Sequence, residues 1–152
     1  MDIGLMDWIV VGLWAITLIV GLRTLHVYRR QLQVMDQSLR AQNLAWLVQY
    51  LQAPDVRHAR FIAMTKLSRK RFARWSFKEQ EEAATALAAY GVAGVYIQSG
   101  RVDRELILQN WGPSIKRLGA ICDEFIEDRI QKSAPNYWGA LTWIIAEANK
   151  AS

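Results

Sequence analysis

Residues 8–22 read WIVVGLWAITLIVGL, fifteen in a row without a charge and apolar on every side of a helix. A helix lying on the surface of a soluble fold would carry a polar stripe. Ile3 to Met6 lengthen the run on one side, and on the other Arg23 can snorkel with Thr24 to Tyr28 behind it, so 3–25 reaches the length of a transmembrane helix. Trp8 and Tyr28 fall where amphipathic rings favour the headgroup region, and Asp7 falls at the outer mouth. No Lys or Arg precedes the run and no Ala-x-Ala site follows it, which predicts a retained anchor and not a cleaved signal peptide.

Orientation follows from charge. Asp2 and Asp7 stand before the run and Arg23, Arg29, Arg30 and Arg40 after it, so the positive-inside rule predicts a single-pass protein of the inner (plasma) membrane, with the N-terminus outside and the C-terminal domain in the cytoplasm. Thr17 and Gly21 form a small-xxx-small pair that lets two spans approach.

Beyond Gly21 no Gly or Pro occurs until Pro54, which predicts one helix continuing to about residue 52. Leu25, Leu32, Leu39 and Trp46 recur every seven residues, with Tyr28, Met35 and Gln42 three later. That is an a/d pattern for a short coiled coil that makes a homo-oligomer, or for a stripe packed on the protein's own domain. Residues 26–52 are thus expected to form a helical stalk.

Residues 53–150 are expected to form an all-α domain, because no sustained alternating run marks a strand. Asp55 caps a helix through Leu67, and a basic, aromatic connection follows from Ser68 to Ser76. Phe77 to Gln98 is a helix in which Gly91 and Gly94 allow close packing and which Gly100 ends. A short helix runs from Asp103 to Leu108, and a loop at Trp111, Gly112 and Pro113 opens the next. That helix carries an apolar face from Ile115 to Ile130 and ends by Pro135, and the last runs from Tyr137 to about Asn149.

Several short motifs carry a resemblance: Val56, Arg57, Ala59 and Arg60; then Gly94, Gly100, Val102 and Asp103; then Trp111, Gly112, Pro113 and Ile115, with Arg129 and Pro135 to Tyr137 behind them. Over roughly residues 35 to 145 they resemble a family of uncharacterised bacterial proteins, domain of unknown function 4760. The resemblance implies a membrane span followed by a helical domain and supplies no activity. Family members often show Asn-Phe-Phe-Glu before the first of those glycines, where this chain has Ala88, Ala89, Tyr90 and Gly91, so no role of that acid carries over.

Residues suited to catalysis are sparse. The only cysteine, Cys122, has Asp123 and Glu124 beside it, which oppose thiolate formation, and it reads as a core residue. His58 has no second ligand one turn on, and no phosphate-cradling glycine loop, HExxH or GxSxG occurs. Asp123, Glu124, Glu127 and Asp128 read as a solvated helix face. No enzyme, cofactor or metal is expected.

Charge segregation is the remaining signal. Residues 23 to 78 hold 12 Lys or Arg against Asp36 and Asp55, net +10, whereas 79 to 152 hold 7 against 10, net −3. Arg57, Arg60, Lys66, Arg69, Lys70, Arg71, Arg74 and Lys78 are interleaved with Phe72, Trp75 and Phe77. Under a bilayer they would meet anionic lipid; nucleic acid, with the rings stacking on bases, is the other partner of this chemistry. Together these features point to a membrane-anchored, self-associating module that meets protein partners. The alternatives are a pore-forming effector or accessory of a bacterial antiviral system, and a membrane-tethered nucleic-acid binder.

Overall fold

Beyond the uniformly apolar run the apolar residues recur at helical spacing, and a computed structural model of the protein is accordingly all-α, with six helices and no strand among the described residues. These are residues 5–132 and 138–151, with backbone only for residues 5–11 and 15. Helix α1 (Leu5–Leu51) is unbroken, as the absence of Gly and Pro after Gly21 requires. Among the described residues no helix is long and apolar enough to cross a membrane. Residues 3 and 4 of the expected span lie outside the described residues, as do the side chains of residues 5–11 and 15.

The chain divides into two compact units, residues 1–39 and 40–152. The last three turns of α1 therefore belong to the second unit, where Leu47 and Leu51 are fully buried. Helix α2 (Pro54–Thr65) follows with Ala53, not Asp55, at its N-cap. Pro54 takes the first helical position, where its fixed φ fits and its missing N–H costs nothing, and this moves Asp55 into the first turn, where its charge suits the helix dipole.

Two 3₁₀ turns, Leu67–Arg69 and Phe72–Arg74, make the connection to α3 (Phe77–Gln98). A reciprocal capping box starts α3: Ser76 Oγ accepts from Glu79 N at 3.3 Å, and Ser76 N donates to Glu79 Oε2 at 2.9 Å. At its far end Gly100 adopts φ 68°, and Arg101 N closes back on Tyr96 O at 3.0 Å.

The expected loop at Trp111 to Pro113 is absent, and α4 runs through it from Arg104 to Ile121. Pro113 and Gln109, whose carbonyl the proline leaves without an intrahelical N–H, are both exposed, while Ile107, Gly112, Ile115 and Leu118 hold one buried face across the site. Burial outweighs the local breaker. Asp103 caps this helix, its Oδ1 accepting from Glu105 N at 2.7 Å.

The expected helix from Ile115 to Ile130 is in fact two. Cys122 closes α4, and α5 (Asp123–Lys132) restarts with Asp123 and Glu124 in its first turn, where the dipole favours acids. The restart re-aims Phe125 into an aromatic cluster with Phe72 at 5.7 Å, Trp75 at 5.8 Å and Trp138 at 6.5 Å between ring centres. Helix α6 (Gly139–Lys150) completes the domain; Pro135 and Tyr137, expected at this junction, lie outside the described residues.

Helix α3 is the centre, packed on α2 and on α6, with α4 against α6. A Cβ on Gly94 would run into the Ala140 carbonyl, so the absence of a side chain there lets α3 and α6 touch backbone to backbone. Gly119 instead makes room on α4 for a side chain of α6, since a Cβ there would meet Ile145 Cγ2 at 2.9 Å.

Candidate functional site

Two surfaces were singled out by the sequence, one in each compact unit. In the first, every described side chain from Gly12 to Gly21 and on through Leu39 is exposed. The heptad positions Leu25, Tyr28, Leu32, Met35 and Leu39 are between 49% and 65% exposed, so their own unit leaves this stripe uncovered. Trp46, the remaining position, is 47% exposed and lies in the second unit, stacked on Tyr50 at 5.3 Å and on Tyr96 at 5.2 Å, which leaves two heptads of the stripe in the first unit.

Within the apolar run, the hydroxyls of Thr17 and Thr24 donate to the carbonyls of Leu13 and Val20 at 2.9 and 2.8 Å. Each polar group is thereby satisfied inside the helix.

The second surface is the basic one. Arg57, Lys66, Arg69, Arg71, Arg74 and Lys78 are exposed, but two expected members are engaged by the domain. Arg60 is half-buried: it donates from Nη1 to Tyr90 Oη at 3.3 Å, and that hydroxyl lies 2.6 Å from Ser114 Oγ, so α2, α3 and α4 meet at one polar node. Lys70 donates to Glu79 Oε1 at 2.6 Å. This bond, with the one from Ser76 N, holds the Glu79 carboxyl below the usual carboxylate range.

Of the interleaved aromatics, Trp75 is buried, Phe72 is half-buried against it at 5.5 Å, and Trp75 Nε1 donates to Lys70 O at 3.2 Å. Neither ring is free to stack on a base. Phe77 alone of the three is outward, 75% exposed.

Other candidates resolve into architecture. Cys122 is fully buried, and burial pushes its thiol up to about 12, so no thiolate is available near neutral pH. Burial, more than the neighbouring acids, sets that shift. His58 is exposed, and no group of metal-ligating side chains gathers among the described residues. Glu147 accepts from Arg104 at 2.6 Å and Lys150 at 2.8 Å, an ion-pair link between α4 and α6 that holds its carboxyl low, Lys150 contributing most. Asp128 pairs with Lys132 at 2.5 Å.

No motif marks a groove of about 520 Å³ lined by Phe77, Gln80, Thr85, Arg129 and Trp138. Arg129 spans it, its guanidinium 5.0 Å over the Phe125 ring and its Nη2 donating to Gln80 Oε1 at 3.3 Å.

The motif residues of the family resemblance now have places. Val56 and Ala59 are core, Gly94 is the α3–α6 contact, Gly100 the left-handed cap, Asp103 an N-cap, and Arg129 an aromatic-stacked cation. The family model described as "Domain of unknown function (DUF4760)" matches residues 9–148, and the chain belongs to that family. No curated protein and no solved structure matches it.

Proposed function

From membership in an uncharacterised family, we propose that this chain is a membrane-anchored, self-associating helical module that acts through protein contacts. The observation that carries the reading is the uncovered apolar surface of α1. Leu13, Trp14, Leu18 and Leu22 are all more than half exposed, in continuity with the Leu25 to Leu39 stripe. Left in water, such a surface would forfeit roughly 25 cal/mol for each Å² of apolar area that a bilayer or partner would cover.

A bilayer suits the first part, where residues 8–22 carry no charge on any side of the helix. The arginines support a cytoplasmic domain of an inner-membrane protein, beginning with Arg23 at the end of the apolar run. The second part of the stripe then suits a second copy. Two heptads would not hold monomers together in solution, but parallel spans in one membrane raise their effective concentration enough for a weak seam to act.

The test uses the full chain in its membrane. Leu32→Asp with Leu39→Asp should abolish cross-linking between copies while leaving the helical signal intact, because both side chains are uncovered. A reporter fused after Ser152 should be active only in the cytoplasm. A wild-type chain that stays monomeric removes the self-association, and a periplasmic C-terminus removes the topology. A stable oligomer that conducts ions in liposomes would instead make the assembly a pore.

A further inference from the structure

We propose that the connection between α2 and α3, residues 66–78, is a membrane-docking edge that lays the domain against anionic lipid, with Phe77 entering the interface between the flanking cations. The inference rests on the membrane reading above and adds a second contact between protein and bilayer.

Three observations carry it. The segment has no acid of its own, and its inner side is fixed: Phe72 and Trp75 are sunk against Phe125, and Trp75 Nε1 holds the Lys70 carbonyl. With those rings turned in, Lys66, Arg69, Arg71, Arg74 and Lys78 are left outward as a preorganised set. Phe77 then stands 75% exposed between Arg74 and Lys78, the greatest exposure among the described large apolar side chains of the domain. A bare ring at the first position of a helix, next to cations, matches the headgroup layer, where charge meets phosphate and the ring enters the acyl boundary.

The nearby acids do not cancel this. Glu79 is taken up by Lys70, and Asp123 and Glu124, which share a cleft with Ser68 to Phe72, leave the five outward cations in excess. The same burial of Phe72 and Trp75 leaves Phe77 as the one ring of this segment free to stack on a base, which favours lipid over a single strand read by successive stacked rings.

The experiment places a fluorophore on the full chain through Ala73→Cys, an exposed position, while buried Cys122 stays unlabelled. The labelled chain is mixed with vesicles of brominated lipid, either neutral phosphatidylcholine or a mixture containing phosphatidylglycerol. Flotation with neutral vesicles reports the anchor, and quenching reports docking. The expected result is flotation with both and stronger quenching on the anionic vesicles. That excess should be lost in about 1 M salt, where the screening length is about 3 Å, and lost in the variant Arg69→Gln, Arg71→Gln, Arg74→Gln, Lys78→Gln. Phe77→Ser should reduce the quenching without changing flotation.

Flotation with equal quenching on both vesicles overturns the docking edge and leaves the anchor. Flotation and quenching on anionic vesicles only keep the edge and overturn the anchor, and no flotation with either overturns both. Binding of a single-stranded RNA that depends on the same four cations, without excess quenching by anionic lipid, would give the face to nucleic acid and overturn the proposal.

Discussion

Two glycines three residues apart on α3 should respond to the same substitution with opposite signs. Gly91 and Gly94 are both helical, so alanine at either position gains about 1 kcal/mol of helix propensity. At Gly91 the new Cβ would lie 3.7 Å from Leu141 Cβ, an ordinary contact, and Gly91→Ala should keep that gain. At Gly94 it would fall within the Ala140 carbonyl, whose carbon is 3.0 Å away, and backbone cannot rotate aside as a side chain can. Helices α3 and α6 would have to part, at an overpacking cost of about 1–3 kcal/mol or more. Gly94→Ala is therefore expected to lose up to about 2 kcal/mol net, and the two variants to differ by the overpacking cost itself, about 1–3 kcal/mol or more. Urea unfolding of the full chain in mild detergent, followed by far-ultraviolet circular dichroism, measures both. If the two midpoints move the same way, or Gly94→Ala is the more stable, the backbone contact of α3 on α6 is not as described.

The start of α3 and the buried thiol give two further tests. Ser76→Ala should cost about 1 kcal/mol through loss of the cap. Because Glu79 titrates below its ordinary value of 4.5, its contribution is present above that pH and lost as pH falls through the lowered value. The urea midpoint of the wild type should therefore fall more steeply on acidification than that of Glu79→Gln, and parallel curves would refute the bonds of the Glu79 carboxylate to Lys70 and Ser76. Cys122, with its thiol raised by burial from 9.0 to about 12, should resist iodoacetamide at pH 8 in the folded chain and react once urea unfolds it. The same shift has stability present below 9.0 and lost as pH rises through the folded value, so Cys122→Ser should flatten the alkaline side of the profile. Rapid alkylation of the folded chain would place the thiol outside the core.

Helix positions were legible wherever period and punctuation agreed. The limits of α3 follow from an apolar period between Ser76 and Gly100, although its capping box went unread in the series Ser76, Phe77, Lys78, Glu79. The failures came where tertiary burial overrode a local rule. Gly112 and Pro113 look like a loop, yet the ring sits on the exposed side of α4 and the buried face runs on beneath it. The opposite happened at Cys122, where a continuous apolar period conceals a break that only the packing of Phe125 among Phe72, Trp75 and Trp138 requires.

The same logic limited the reading of the surfaces. A one-dimensional pattern counts Trp46 with the leucines before it and Arg60 with the cations around it, because spacing and charge are all it contains. What else such a residue touches depends on a partner distant in sequence. Tyr96 takes Trp46 by stacking, and Tyr90 takes Arg60 by a hydrogen bond across thirty positions. The positions that carry the family resemblance are likewise spent largely inside the domain, on a helix contact at Gly94, a left-handed cap at Gly100 and an N-cap at Asp103. They specify how the helices meet. The leucine stripe of α1 and the outward cations around Phe77 include none of these three positions, and the proposed contacts with a bilayer and with a second copy rest on those exposed side chains.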